Sequence, residues 1–376
     1  MHYFIKANQD TYISSGSDII TGDSFTKQNF GQDQILELKK VFYNEGFLYP
    51  TRLLIQFDLT KLSSSLVNNE ITNPEYYLRL YESEGNKNLS ATYNLAAYPV
   101  SQSWDEGVGK FGDSPRTTDG SSWKYSFNRR GDTFISWSNS DGSEALGSSY
   151  VTEYFATQSF SYESPDVNMN VTPIVNFWLG KASTGIGNNG LMLRFSGSHE
   201  IVTGSEETKY GEMKFFSAQT NTIFSPKLEV RWDDHKPCTG SNTGSLQALD
   251  MSGESDNLLY MKGLRQEYKP TETVKFRVGS RKRYIQKSFT TSVQTVTGSY
   301  IAEGSGSYSI VDIASGETII PFSAYTSMSC DSVSNYFIQR LDEFETNRVF
   351  KILYRLKYND TQEQIFDDDF EFIVKD

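Results

Sequence analysis

Apolar residues spaced two apart recur along almost the whole chain, and that period decides what the chain can fold into. Leu53, Ile55 and Phe57 follow it, as do Leu78 and Leu80, then Leu191, Leu193 and Phe195. It returns in Leu228, Val230 and Trp232, in Val274, Phe276 and Val278, and in Phe350, Ile352, Tyr354, Leu356 and Tyr358, closing with Phe370, Phe372 and Val374. Successive side chains of an extended strand point to opposite faces, so each run presents one apolar face to a core. Ser, Thr, Asn, Asp and Gly fill the intervals, which is turn chemistry. Tyr (23) and Phe (25) outnumber Trp (5) several-fold, and aromatic residues favour pleated, half-buried surfaces. The expected class is all-β, built as sandwiches or jelly rolls.

Length and composition divide the chain. At 376 residues it suits two domains, each large enough to bury its own core. After Val230-Arg231-Trp232-Asp233-Asp234 the periodicity stops, and 234–257 is rich in Pro, Gly, Ser and Thr, which is linker composition. The expected layout is a larger sandwich over 1–233, a linker over 234–257 and a smaller sandwich over 258–376. Two short helices are expected. One runs from Thr60 to Val67 with Thr60 as its cap. The other follows Val171, with Thr172 capping, Pro173 in the first turn and Gly180 at the exit.

The stretch from about 104 to 161 is long, Gly/Ser/Asp-rich and weakly periodic. It holds Trp104, Trp123 and Trp137 among Asp105, Glu106, Asp113, Asp119, Asp132 and Asp141. Long ordered loops in compact domains are usually functional or interfacial. We read this one as a surface excursion pinned by its aromatics, with the three tryptophans as interface candidates.

The net charge of −12 argues against a phosphate-backbone binder, which needs clustered cations. One basic cluster exists, Arg281-Lys282-Arg283 with Arg277 and Lys287 nearby. It is read as a solvated strand end or a subunit contact. Cys238 and Cys330 are the two cysteines; they make no disulfide framework and fit a reducing compartment, with a single bridge left open. Met1-His2-Tyr3-Phe4-Ile5-Lys6 lacks the character of a signal peptide, and no apolar run approaches a membrane span. Synthesis in a cytoplasm is the expectation, with no membrane partner.

Candidate chemistry is sparse. His2, His199 and His235 are scattered, and His235-x-x-Cys238 is half a zinc site. A serine triad lacks its histidine and its nucleophile elbow. Glycoside hydrolysis needs two carboxylates, for which Asp105 with Glu106 and Asp233 with Asp234 are the candidate pairs, yet adjacent strand residues face opposite ways. Calcium is the one plausible cofactor, at Asp367-Asp368-Asp369 or in the acidic excursion; otherwise none is expected. Exposed tryptophans stacking on sugars make glycan binding the rival reading.

Residues 8–100 resemble the N-terminal part of the DNRLRE family of β-sandwich domains. The matching landmarks are Asp10-Thr11-Tyr12, Asn29-x-Gly31, Arg52-Leu53-Leu54-Ile55-Gln56-Phe57-Asp58-Leu59 and Leu78-Arg79-Leu80-Tyr81, with Pro226-Lys227-Leu228-Glu229-Val230 resembling the family's final strand. The resemblance implies a jelly roll of the carbohydrate-binding-module type. In the Arg52–Leu59 stretch, Asp58 is placed to cap the following turn and Arg79 to pair with a carboxylate across the sheet. The whole chain is also similar to virion structural proteins of marine T4-like tailed phages. That likeness rests on Ser103-Trp104-Asp105-Glu106-Gly107-Val108-Gly109-Lys110, Asp119-Gly120-Ser121-Ser122-Trp123, Tyr210–Ser217, Val274–Val278, Ile319–Phe322 and Phe366–Phe370. It implies a virion component of the head exterior, neck or tail, with a C-terminal Ig-like sandwich.

The expected function is therefore a non-enzymatic virion structural protein. It would bind other virion proteins in a symmetric multimer or on a ring, with Trp104, Trp123, Trp137, Arg281, Lys282 and Arg283 as contact candidates. A carbohydrate-binding adhesion module is the alternative, and a glycan-cleaving enzyme the second alternative.

Overall fold

The computed structural model describes all residues except 18–21, 23, 44–46, 85–91, 130–132, 139–146, 162–165, 182–185, 197–199, 201–210, 253–256, 285–288, 290, 294–297, 343 and 376. The chain is all-β, with two short α-helices among the described residues, as the period-two pattern requires. It divides into two compact units. One comprises Phe4–Glu70 and Glu75–Val230; the other comprises Met1–Tyr3, Ile71–Pro74 and Arg231–Asp376.

Thirteen strands precede the second large stretch: β1 (His2–Ser14), β2 (Ile35–Tyr43), β3 (Phe47–Phe57), β4 (Glu75–Leu80), β5 (Glu82–Glu84), β6 (Thr92–Pro99), β7 (Tyr125–Arg129), β8 (Thr133–Ser136), β9 (Ala156–Ser161), β10 (Val167–Asn170), β11 (Leu191–Phe195), β12 (Gly211–Phe216) and β13 (Lys227–Arg231). Their main sheet runs β10-β4-β13-β1-β3-β11-β6-β9, and β2 leaves β3 to pair with β12, which in turn pairs with β5. β7 and β8 form a separate hairpin. The alternating residues Leu53, Ile55, Phe57, Leu191, Leu193 and Phe195 are all buried. So are Leu54 and Met192, which lie opposite each other in the β3–β11 register on the other face. Both faces of this part of the sheet are covered.

The helix α1 (Thr60–Val67) forms where expected, with Leu59 at its N-cap position and no side-chain cap. Its entry is set by Asp58, whose Oδ1 accepts from the Thr60 backbone N–H (2.9 Å) and hydroxyl (2.6 Å), the local turn that aspartate favours. The second helix α2 (Thr172–Asn176) continues into a wider turn over Phe177–Lys181, and Gly180 ends it at φ 76, a left-handed conformation that glycine adopts without a Cβ clash. Thr172 does not cap this helix: its Oγ1 accepts from the Tyr76 N–H of β4 at 2.9 Å, and Asn170 Oδ1 takes the Thr172 N–H at 3.0 Å. Arg79 meets the buried Glu229 carboxylate at 3.5 Å, a pairing across the sheet between β4 and β13.

The other unit carries β14 (Gln247–Ala248), β15 (Asn257–Lys262), β16 (Glu267–Tyr268), β17 (Thr273–Lys282), β18 (Ser299–Tyr300), β19 (Gly306–Asp312), β20 (Thr318–Ile320), β21 (Ser329–Cys330), β22 (Asn335–Arg340), β23 (Arg348–Lys357) and β24 (Glu363–Val374). One sheet runs β14-β18-β17-β22-β21 with β15 on β17, the other β16-β24-β23-β19-β20. Rings from the two sheets interleave: Tyr308 of β19 stacks on Phe337 of β22 at 3.7 Å, and Phe276 of β17 meets Phe372 of β24 at 5.2 Å. Such ring contacts across the two sheets make a sandwich core. Residues 234–257, of linker composition, hold several anchors. Cys238 is disulfide-bonded to Cys330 with Cα atoms 4.9 Å apart, Lys236 N donates to Ser329 Oγ at 3.0 Å, and β14 pairs with β18.

Candidate functional site

The excursion between β6 and β9 builds its own support before it presents anything to a partner. Asn29 is its central peg. The Asn29 amide N–H groups donate to Glu106 O (2.7 Å) and Ser121 O (2.8 Å), and its Oδ1 accepts from Gly31 N (3.1 Å) and Gly109 N (2.8 Å). All four hydrogen-bonding positions of a buried amide are thus filled. A Cβ on Gly31 would run into the Glu106 backbone carbonyl, and one on Gly107, at φ 81, into Asp119 and Asn29. Hence the spacing Asn29-x-Gly31 and the glycines after Glu106: side chains there would push the loop off its peg.

Acids complete the clasp. Glu106 Oε1 accepts from Asp10 N (3.0 Å) and Gln219 Nε2 (3.2 Å). Asp33 takes the Phe111 N–H at 3.1 Å. Burial pushes the Asp10 carboxyl up to about 7, against the lowering effect of the Ala218 N–H, and the neighbouring Glu106 adds to the rise. Burial also raises Glu106 and Asp33. Asp10 Oδ2 accepts from Ala218 N at 2.6 Å, whereas its Oδ1 is buried without a hydrogen bond.

The tryptophans face inward. Trp104 and Trp137 are buried with Ile13, Leu54, Val100 and Met192, so the excursion is the cover for the second face of the β1–β3–β11 sheet. Trp104 Nε1 donates to Asn189 O (2.7 Å) and Trp137 Nε1 to Ser122 O (2.8 Å), which satisfies each indole as burial demands. Trp123 packs against this cluster and lies under the Arg52 guanidinium at 4.9 Å. Arg52 and Arg194 both pair with the buried Glu200, with Arg194 4.9 Å from the Tyr98 ring. This corrects the expectation of a surface excursion with tryptophans facing a partner or a sugar: the rings of Trp104 and Trp137 belong to the core. The signal for it lay in Leu53-Leu54-Ile55 and Leu191-Met192-Leu193. Consecutive apolar residues on a strand mean that both faces are covered.

The excursion's outward element is the β7–β8 hairpin. All four residues of β8 are exposed, Phe134 at 59% and Ile135 at 52%. Tyr125 of β7 meets the Phe134 ring at 5.1 Å. The inner edge of β7 is engaged, since Asp105 N donates to Ser126 O and Gly120 N to Asn128 O. Among the described residues β8 pairs with β7 alone. Beside it, Gln102, Ser103, Trp104, Ser126, Phe127 and Ile135 line a cleft of about 190 Å³. An exposed apolar edge strand on a packed, hydrogen-bonded base is a template for protein contact.

The remaining candidates lie apart. Arg281, Lys282 and Arg283 sit at the end of β17, and Arg277 is bound to Asp331 at 2.8 Å. Asp367, Asp368 and Asp369 form a bulge in β24, where the register steps from Ile352↔Phe370 to Tyr354↔Phe366. The Lys351 ammonium lies 3.0 Å from Asp367 and 3.7 Å from Asp369. Among the described residues no group of three or more His, Cys, Asp or Glu side chains converges on a metal position. His235 binds Glu303 at 2.6 Å and Cys238 is in the disulfide, so the half zinc site is dissolved. His2 is bound to Ser323 at 3.0 Å. Asp234 meets the Met1 amine at 2.9 Å, and Asp233 accepts from His235 N at 2.9 Å. Each of these acids is committed to a local bond. Asp132, Asp141, His199, Lys287 and Tyr210 lie outside the described residues. No helix of the described residues is long and apolar enough to cross a membrane.

No protein-family model matches the chain, and no curated protein sequence matches it.

Proposed function

We propose that this chain is a non-enzymatic structural component of a tailed-phage particle, in the head exterior, neck or tail, held there by protein–protein contacts. The observation that carries the assembly reading is β8, a fully exposed edge strand bearing Phe134 and Ile135 on a hairpin whose base is clamped by Asn29, Glu106, Trp104 and Trp137. The hydrogen bonds and packing at the base fix where the hairpin emerges, and an exposed apolar edge strand there is a template for protein contact. The particle itself is drawn from the likeness of the sequence pattern to phage virion proteins. The DNRLRE-like landmarks stand beside that likeness, because Asp10, Asn29, Gly31 and Arg79 are the residues that fasten the sandwich and its excursion.

The test is mass spectrometry of intact particles from the source, paired with incorporation of a Phe134→Asp, Ile135→Asp variant. Stoichiometric presence of the wild-type chain, lost in the variant while its fold is kept, is the expected result. Absence of the wild-type chain from particles would overturn the virion reading. A glycan-array signal on a chain absent from particles would favour the adhesion-module alternative.

A further inference from the structure

We infer that the C-terminal sandwich binds an acidic saccharide in a trough at one end of its β19–β23 face, with Arg355 and Lys357 taking the carboxylate. The site is independent of the virion reading above, since it lies within one sandwich and needs no other protein.

The trough follows from strand alternation. Tyr354 and Leu356 of β23 are buried in the core, so Arg355 and Lys357 share the opposite, outer face. Ser307 of β19 lies opposite Arg355 in the register, and its Oγ accepts from Arg355 Nε at 3.1 Å. Lys357 N donates to Ser305 O at 2.8 Å. The Phe322 ring lies 4.7 Å from the Arg355 guanidinium, so the fork is held by a ring and a hydroxyl. Glu363 approaches its Nη1 only to 3.6 Å, beyond hydrogen-bond length. Lys357 is exposed, and its ammonium has no partner among the described residues. These two cations and Ser305, Ser307, Ser323 and Ser327 line a cavity of about 320 Å³, and among the described residues no acid lines it.

A second cavity of about 570 Å³ continues the first, sharing Gly304, Ser305 and Lys357 with it. Both volumes fall in the roughly 300–1,000 Å³ range of ligand sites. One wall is the turn from β23 to β24, closed by the Tyr358 N–H on Gln362 O at 2.9 Å. There Asn359, Thr361 and Gln362 present amide and hydroxyl groups, and Asp360 and Glu363 present acceptors. Glu303 also lines this cavity, but its oxygens are engaged by His235 Nε2 and Cys238 N, each at 2.6 Å. The Tyr358 hydroxyl accepts from Asn257 Nδ2 (3.1 Å) and donates to Gln364 Oε1 (2.9 Å), which anchors the one aromatic residue of the wall.

This division of charge selects the ligand. A protein partner needs apolar anchors, and Ala324 and Tyr358 are the nearest to such groups in either wall. A nucleic acid needs a run of cations, whereas Asp360 and Glu363 line the second cavity. One anionic group followed by hydroxyls meets both halves. Its carboxylate would sit on the Arg355 fork and the Lys357 ammonium. Its hydroxyls would donate to Asp360 and Glu363 and exchange hydrogen bonds with the amides. Tyr358 supplies a ring for the C–H side of a sugar.

The test is isothermal titration calorimetry of the full chain with oligosaccharides of galacturonate, of hyaluronan and of sialic acid. Uncharged dextran oligosaccharides and polyglutamate are titrated beside them. Binding of at least one acidic saccharide is expected, with dextran and polyglutamate silent. Lys357→Glu should weaken that binding by at least about tenfold, and so should methyl esterification of the saccharide carboxylates. Arg355→Lys keeps the charge, loses the fork and should weaken it as well, with thermal unfolding showing that each variant stays folded. Binding to none of the acidic saccharides, or binding indifferent to both substitutions, overturns the inference. Equal binding of polyglutamate would assign the trough to acidic protein segments, and equal binding of dextran would leave the cations without a role; either result overturns it too. Particle mass spectrometry tests the virion reading separately, so each can fail without the other.

Discussion

The indole N–H of Trp104 donates to the Asn189 carbonyl across 2.7 Å, joining the excursion to the segment that leads into β11. The bond holds a buried ring against Leu54 and Met192, so the excursion behaves as part of the sandwich core. Trp104→Ala should cost about 3–5 kcal/mol, the range for emptying a buried aromatic site. Equilibrium denaturation measures it, and a loss below about 1 kcal/mol would place the ring outside the core.

Asn29→Ala should be destabilising out of proportion to its size. It strands two carbonyls and two N–H groups that Asn29 now satisfies, and each buried unpaired group costs about 1–3 kcal/mol. A loss of at least about 3 kcal/mol is expected, with proteolytic cleavage first between 104 and 123. Unchanged protease resistance there would refute the peg.

Asp10 gives stability a pH dependence of defined sign. Its carboxyl sits at about 7 in the folded protein against 3.8 for the ordinary group. The folded state therefore holds the proton more tightly, and stability falls as pH rises from about 4 to about 7, by up to about 4 kcal/mol. Glu106, raised for the same reason, adds to the slope. Asp10→Asn removes the ionisation and should be more stable than wild type at pH 8, with the gap closing towards pH 4. Denaturation at a series of pH values checks this, and parallel curves for the two proteins would contradict it.

The Cys238–Cys330 disulfide spans 92 residues. Loop-closure entropy over that length gives about 4–5 kcal/mol of stabilisation. Replacing both cysteines by serine should lower the stability of the C-terminal sandwich by about that amount, read as a fall in its unfolding midpoint under non-reducing conditions. Equal midpoints would show that the bridge contributes nothing.

The Phe134→Asp, Ile135→Asp pair should leave stability within about 1 kcal/mol of wild type, because both side chains are exposed on β8 and surface changes rarely exceed that. Deleting residues 104–141 is a different experiment: it removes Trp104 and Trp137 from the core and should unfold the sandwich. Thermal unfolding of the two variants separates a docking surface from a structural cover.

Much of the architecture was legible before any coordinate. Leu53, Ile55 and Phe57, or Phe350, Ile352, Tyr354 and Leu356, declare a strand and its apolar face by period alone, and all of them are buried in β3 and β23. Gly180 declared the end of α2, Asp58 the turn into α1, and Arg79 a carboxylate partner. The sequence does not place Trp104 and Trp137, because a weakly periodic, Gly-rich stretch carries no mark of what it lies against.

What the sequence determined by itself is therefore local: which residues extend, which face of each strand is apolar, and where turns break the runs. These follow from side-chain alternation and backbone sterics within a few residues. The tertiary structure alone decided what covers the second face of the β1–β3–β11 sheet, which acids become buried, and which edge remains open. Those outcomes join residues as distant as Asp10 and Glu106, or Arg52 and Glu200. Burial is a property of the assembled chain, and no short window of sequence contains both partners.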